Sequence, residues 1–411
     1  FAPNWYKICK FMQKDIRLLF ITRITRMFAY GFLSVSLALY LSRLGLSAQQ
    51  IGFVFTFTLV GDAVISLWLT TNADRRGRKK MLIIGSALML MAGVVFAITR
   101  EPALLALAAT IGVISPSGKE IGPFLSIEQA SLSQLIPNEK RTSTFAWYNL
   151  SGSMALALGA LSGGLVVQAL LEMGVEVVNA DRVLVVVYAA FGLLLMALYT
   201  RITPQAEAPS TNVKMDALGL GKSRGIVLKL SALFALDAFA GAFVIDSFIA
   251  YWLSQKFNVE PAVLGSIFFG TNLLAGFSAL LASRMAEKFG LINTMVFTHI
   301  PSNILLILVP LMPNLPLAIG MLFLRFSISQ MDVPTRQSYT MAVVSPEERS
   351  ATSGVTTIAR SVGSAIAPSI AGPLLATSWP FFISGGLKIV YDLLLWHNMR
   401  AVKPPEEMKK G

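Results

Sequence analysis

The strongest constraint on this chain is a series of twelve mostly apolar runs, at 16–41, 48–72, 80–98, 103–135, 141–170, 183–200, 227–254, 261–286, 290–311, 315–342, 349–376 and 379–397. A helix needs about 20 such residues to cross the hydrocarbon of a bilayer. Inside that layer each backbone N–H and C=O must find a partner within the protein, which leaves helices as the answer for runs of this length. Only 14% of the residues are charged, against about 25% in a soluble domain. The expectation is an all-α membrane protein with twelve transmembrane helices in two pseudo-symmetric six-helix bundles.

The net charge of +12 raises the question of nucleic acid. A nucleic-acid binder carries its Lys and Arg on exposed faces, whereas here they punctuate the apolar runs, so no nucleic-acid partner is expected. Their distribution is one-sided. The N-terminus, every second loop, the stretch after run six and the C-terminus hold 22 Lys and Arg, and the opposite loops hold only Arg43, Arg100, Arg182 and Lys256. By the positive-inside rule both termini are cytoplasmic, with a plasma (inner) membrane as the expected site. The densest cluster, "DRRGRKK" from Asp74 to Lys80, is then the cytoplasmic turn between spans two and three. Cys9 is the only cysteine, and His299 and His397 are the only histidines. No disulfide, metal site or cofactor is expected from that inventory. "GLGKS" at Gly219–Ser223 has Asp216 where a phosphate-binding loop needs glycine, and no strand precedes it. ATP is not the expected energy source.

The stretch 201–226, "RITPQAEAPSTNVKMDALGLGKSRGI", is rich in Pro, Gly and charge and reads as a cytoplasmic linker. It divides the chain into a bundle at 1–200, a second bundle at 227–400 and a tail at 401–411. The halves are self-similar. Shifting "IEQASLSQLIPNEKRTSTFAWYNLSG" by 208 residues lays Gln129 on Gln337 and Arg141 on Arg349. Spans four and five then fall over ten and eleven. A weaker match joins "YLSRLGLSAQQIG" to "WLSQKFNVEPAVLG". Parallel six-span repeats build several secondary transporters.

The Asp74-Arg-Arg-Gly77-Arg78-Lys79-Lys80 loop, the twelve spans, the central linker and the duplicated half together resemble the major facilitator superfamily over the whole chain. The loop departs from the family pattern at Thr70, where glycine is usual. The span-five pattern Gly159-Ala-Leu-Ser-Gly163-Gly164 is similar to the family's antiporter motif, with Ala160 in place of proline. The partner copy supplies that proline as Pro368, followed by Gly372. These five small or kinking residues, Gly159, Gly163, Gly164, Pro368 and Gly372, are candidate helix-packing positions. The resemblance implies that Asp74, Gly77 and Arg78 belong to a cytoplasmic gate. It also implies that spans one, four, seven and ten line a central cavity.

Those four spans hold most of the intramembrane charge. Such groups are costly against lipid and face a pathway or a partner. Span one carries Arg23 and Arg26. Span four carries Lys119 and Glu120 within "SPSGKEIGP", where Pro116, Gly118, Gly122 and Pro123 should break the helix near mid-membrane. Span seven carries Asp237 and Asp246, nine residues apart and therefore on opposite faces of one helix. Span ten carries Arg325, Ser329, Asp332 and Arg336 at intervals of four, three and four, one polar stripe. Candidate substrate-binding or coupling residues are Arg26, Lys119, Glu120, Asp237, Arg325, Ser329 and Asp332. Glu128 and Arg336, related by the repeat and nearer the cytoplasm, read as gate or structural pairs. Lys388 and Asp392, four apart in span twelve, should pair with each other. Phe28, Tyr30, Phe124, Phe239 and Phe243 could wall an apolar pocket.

The expected protein is no enzyme but a secondary transporter, a monomer whose partners are a small-molecule substrate, protons and membrane lipids. Arg26, Lys119 and Arg325 favour an anionic or amphipathic substrate, and proton-coupled efflux is the expected mode. Import, uniport or exchange of a defined anionic metabolite is the first rival. A non-transporting receptor or lipid-handling protein is the second.

Overall fold

The computed structural model describes residues 14–116, 123–136, 138–207, 223–344 and 348–402, without the side chains of Thr71, Asp74, Arg75, 138–143, Ala146 and 349–351. Secondary structure among the described residues is helical throughout. The helices are α1 (Lys14–Arg43), α2 (Ala48–Arg76), α3 (Arg78–Ile98), α4 (Pro102–Ile111), α5 (Phe124–Leu135), α6 (Asn138–Glu172), α7 (Val177–Tyr199), α8 (Arg224–Gly241), α9 (Asp246–Phe257), α10 (Pro261–Phe289), α11 (Leu291–Leu308), α12 (Leu315–Ile328), α13 (Asp332–Ala342), α14 (Arg349–Ala371) and α15 (Trp379–Met399). Among the described residues, eight stretches of helix are long and apolar enough to cross a membrane. Many of their large apolar side chains point outward, among them Phe53, Phe57, Val64, Leu67 and Trp68 on α2. Water would penalise that surface and lipid does not.

Nine of the twelve expected spans appear as one main helix each, and three are broken. Span four divides into α4 and α5. The chain leaves α4 at Gly112, whose backbone is extended, and α5 begins at Phe124 directly after Pro123. The freed carbonyl of Val113 accepts a hydrogen bond from the Tyr188 hydroxyl at 2.5 Å, as a non-helical backbone within a membrane requires. Span seven divides into α8 and α9 through a single 3-10 turn at Ala242–Val244 and an extended Ile245. Asp246 therefore opens a new helix, where a carboxylate suits the positive N-terminal end. The expectation that Asp237 and Asp246 sit on opposite faces of one helix fails, because no single helix joins them. Span ten divides into α12 and α13 at Ser329–Met331. Pro334 has no amide hydrogen for the carbonyl of Gln330, so the first turn is the only place in a helix that accepts it readily. The single stripe from Arg325 to Arg336 is cut there.

The chain forms two compact units. Unit 1 comprises Phe1–Gly45, Gly61–Asn212 and Pro261–Ser266, and unit 2 comprises Leu46–Val60, Val213–Glu260 and Ile267–Gly411. Within unit 1, α1 packs along α6 with backbones in direct approach. A Cβ on Gly159 would strike the Phe28 carbonyl, and one on Gly163 the Phe32 carbonyl. Gly164 lies against Pro261 and Gly265. Unit 2 repeats the device: Gly363 on α14 meets the backbone of Ala235 on α8, and Gly372 lies against Gly52. Close approach through small residues is how helices associate where lipid removes the hydrophobic drive. Leu230, Phe234, Met295, Val296, Tyr339, Tyr391 and Leu395 form the apolar core of unit 2.

Candidate functional site

Unit 1 buries one carboxylate among four donors. Glu128 on α5 receives Arg26 Nη2 at 2.7 Å, Thr22 Oγ1 at 2.7 Å, the Tyr199 hydroxyl at 2.7 Å and the Tyr148 hydroxyl. Arg26 and Glu128 are both 0% exposed. Arg26 also donates to the Tyr199 hydroxyl at 3.0 Å and lies over the Phe124 ring at 4.7 Å. A carboxylate has about four acceptor sites, and all are used here. Arg23, one turn earlier, stacks on Tyr148 at 4.3 Å and donates to Asn149 at 3.3 Å. The break in span four makes this possible, because it lets α5 bring Glu128 to α1 independently of α4.

Unit 2 is built in the opposite sense, with cations gathered around one acid. Asp237 on α8 accepts from Lys388 Nζ at 2.6 Å, Arg360 Nη1 at 3.0 Å and Arg336 Nη1 at 3.1 Å. Arg336 shares its charge with Asp332 at 2.9 Å, one turn away on α13. Asp237, Asp332 and Arg336 are buried, but the Arg360 side chain is 34% exposed. Arg325 on α12 is buried, lies over Phe326 at 4.7 Å and has Asp246 and Asp332 as its carboxylate neighbours. Its Nε and the Ser329 hydroxyl have no hydrogen-bond partner among the described residues.

The structure thus brings Asp237, Asp332 and Arg336 into one cluster. It adds Arg360 and Lys388, and it places Arg26 in the other unit with Glu128. Glu128 and Arg336, expected nearer a gate, belong to these buried clusters. Lys119 and Glu120 lie outside the described residues. The expected Lys388–Asp392 pair does not form. Lys388 extends to Asp237, and Asp392 is held by His299 Nδ1 at 2.8 Å and by Asn303 Nδ2 at 3.2 Å. An i,i+4 spacing permits a pair, but both carboxylates are buried; Asp392 is already held by His299 and Asn303, and Asp237 takes the ammonium at 2.6 Å. Among the aromatics, Tyr30, Phe124 and Phe243 are packed inside the protein. Phe28 stacks with Phe32, and Phe239 meets Phe243 edge-on.

At the charged loop, Gly77 has φ +98° and separates α2 from α3. The amides of Arg78 and Lys79, which open α3, donate to Glu207 at 2.6 and 3.1 Å. Arg78 also reaches Gln134 at 2.9 Å and the Ala206 carbonyl at 3.3 Å. The side chain of Asp74 lies outside the described residues. The first residues of the stretch expected as a linker are therefore fixed to unit 1, with Thr203 donating to Asp15 as well. Glu207 carried no sequence signal of its own, and neither did Thr22, Tyr148 and Tyr199. His299 did: an ionisable residue inside an apolar run is a functional candidate by default.

The described residues hold no group of three or more His, Cys, Asp or Glu able to bind a metal. A family model described as Major Facilitator Superfamily matches residues 19–251 and again 232–411. The chain is 30% identical over 429 residues to "Uncharacterized membrane protein YJR124C" of Saccharomyces cerevisiae, covering 96% of each. It is 22% identical over 368 residues to the quinolone resistance protein NorA of Staphylococcus aureus, covering 88% of this chain and 90% of that one. In structure it resembles the nucleoside transporter NupG, with a TM-score of 0.75 at 15% identity over 94% of this chain and 99% of that one. Repeated six-span organisation, the fold and the matched family model converge, and the chain belongs to the major facilitator superfamily of membrane transporters.

Proposed function

We propose that this transporter carries a small organic anion across the membrane by alternating access, in company with protons. The observation behind the reading is the convergence of three cations on one carboxylate in unit 2. Lys388, Arg360 and Arg336 all contact the single carboxylate of Asp237, and among the described residues only Arg336 has a second carboxylate contact, Asp332. Arg360 is the most exposed of the three and carries the planar fork that matches carboxylate, sulfonate or phosphate. An arriving anion would occupy Arg360 and share Lys388, loosening Asp237. Arg325 and Ser329 extend the polar lining, and the Arg26–Glu128 cluster serves as a fixed neutral support. Both termini are cytoplasmic in this reading, as the bias of basic loops favours.

Electrostatics also supports the sign of coupling. A proton bound in this cluster adds positive charge where the anion binds, so each strengthens the other, and the two travel together. Export in exchange for protons is a second reading, favoured by the 22% identity to NorA and by the antiporter-like glycines of α6. Proteoliposomes separate the readings. With 1-naphthalenesulfonate, uridine and tetraethylammonium as probes, saturable uptake of the sulfonate alone is expected, accelerated by acid outside. Acceleration by acid inside would favour exchange. Uptake of uridine or tetraethylammonium in place of the sulfonate would contradict an anion site.

A further inference from the structure

We infer that His299 is the proton-binding group that couples to the Asp237 cluster, with Asp392 as its positioning partner. The inference rests on the anion reading for its substrate, but the geometry that carries it is separate. His299 sits on α11, and its ring is held by three contacts. Nδ1 faces both oxygens of Asp392 on α15, at 2.8 and 3.1 Å, and the Tyr391 ring meets it edge-on at 6.1 Å between centroids. Nε2 makes no hydrogen bond among the described residues. In the neutral ring with Nδ1–H donated to Asp392, Nε2 holds the lone pair. A proton taken up at Nε2 gives the imidazolium without disturbing the Asp392 bond, and its release from Nε2 restores the neutral ring.

Burial makes that proton matter. His299 is 5% exposed and Asp392 is 1% exposed, so a charge there is weakly screened. Lys388, one helical turn before Asp392, has given its ammonium to Asp237. Asp392 is left with the neutral amide of Asn303 and with His299 as its hydrogen-bond partners. Three helices pack closely against α11. Their titratable or charged groups are Arg325 on α12, Asp332, Arg336 and Tyr339 on α13, and Lys388, Tyr391, Asp392 and the exposed His397 on α15. Asp237 on α8 lies within electrostatic range of His299 as well. Set Arg325 against Asp246, its neighbour. Asp237, Asp332 and Asp392 then balance Arg336, Arg360 and Lys388 when His299 is neutral. Protonation of His299 leaves the cluster with one positive charge, the complement of a singly charged anion. Histidine is the side chain suited to such a change near neutral pH.

A purely structural His–Asp tie between α11 and α15 would hold the helices together but would not respond to an anion at Arg360. The decisive experiment uses the full chain in detergent with His397→Gln, which removes the other, exposed histidine. The ring-nitrogen NMR signals of labelled His299 are followed as 1-naphthalenesulfonate is added at fixed pH, with binding read independently by tryptophan fluorescence. This probe stays charged at every working pH, so any proton effect belongs to the protein. Bound sulfonate should drive the His299 signals toward the imidazolium, and sulfonate affinity should tighten at least about fivefold between the alkaline and acidic ends of the transport range. Signals that stay fixed while sulfonate binds overturn the proposal. If no sulfonate binds, the anion reading fails instead, and the His299 signals across the same pH range decide the proton site alone: a ring that never changes protonation overturns it. In proteoliposomes His299→Gln should lose the acceleration by a proton gradient and flatten the pH profile, and Asp392→Asn should distort both. Retention of full gradient acceleration by His299→Gln overturns the proposal.

Discussion

Glu128 meets four donors, of which one is charged, and Asp237 meets three cations. The first arrangement is complete, and on the proposed reading the second has room for another anion. Their responses to mutation should differ accordingly. Glu128→Gln leaves Arg26 charged at 0% exposure without its carboxylate. Breaking such a pair costs about 3–5 kcal/mol, so the thermal midpoint in detergent should fall by several degrees or the protein should fail to accumulate. An unchanged midpoint would mean that water reaches this cluster. Arg360→Gln removes a partly exposed cation, and its effect should fall on substrate rather than on stability, with a midpoint close to wild type. The charges are legible in the sequence as a set, because lipid tolerates none of them. Their pairing is not. Thr22, Glu128 and Tyr199 are far apart in the chain, and nothing in the local spacing of Lys388 shows that Asp237 will claim it ahead of Asp392.

Broken helices set which side chains can meet. Gly112 follows the end of α4, Pro123 precedes α5, and Pro334 follows the break in span ten, so both spans carry a readable signal. The first is plain in the sequence; the second is obscured by a regular polar spacing that looks like a stripe. The break in span seven, at Ala242–Val244, is unmarked by proline, and only the helix-opening Asp246 hints at it. Helix seams are more legible. Gly159 and Gly163 stand out as packing residues from their pattern alone, and the backbone of α1 occupies the space a side chain would need. Gly159→Val should therefore prevent close packing of α1 on α6, seen as loss of the monodisperse peak in size-exclusion chromatography. Gly320 on α12 is different: a methyl group added there would meet nothing within 4 Å. Gly320→Ala should be neutral or stabilise by up to about 1 kcal/mol through helix propensity, and it serves as the control.

The whole molecule repeats itself with reversed polarity. In unit 1 a cation on α1 meets an acid on α5, and in unit 2 an acid on α8 meets a cation on α13. These are the first and fourth spans of each copy, so the duplicated fold keeps the location of the bridge and exchanges its signs. Topology follows from apolar run length and repeat, which is why it can be read from sequence. Charge placement within the repeat differs: one acid among four donors in one half, and three cations around one acid in the other. The claim that the Asp237 cluster binds the transported anion is tested most directly by sulfonate uptake into proteoliposomes holding wild type or Arg360→Gln. Wild type should show saturable uptake, and Arg360→Gln should raise KM about tenfold or more with a smaller change at saturation. Identical kinetics in the two proteins would contradict the account.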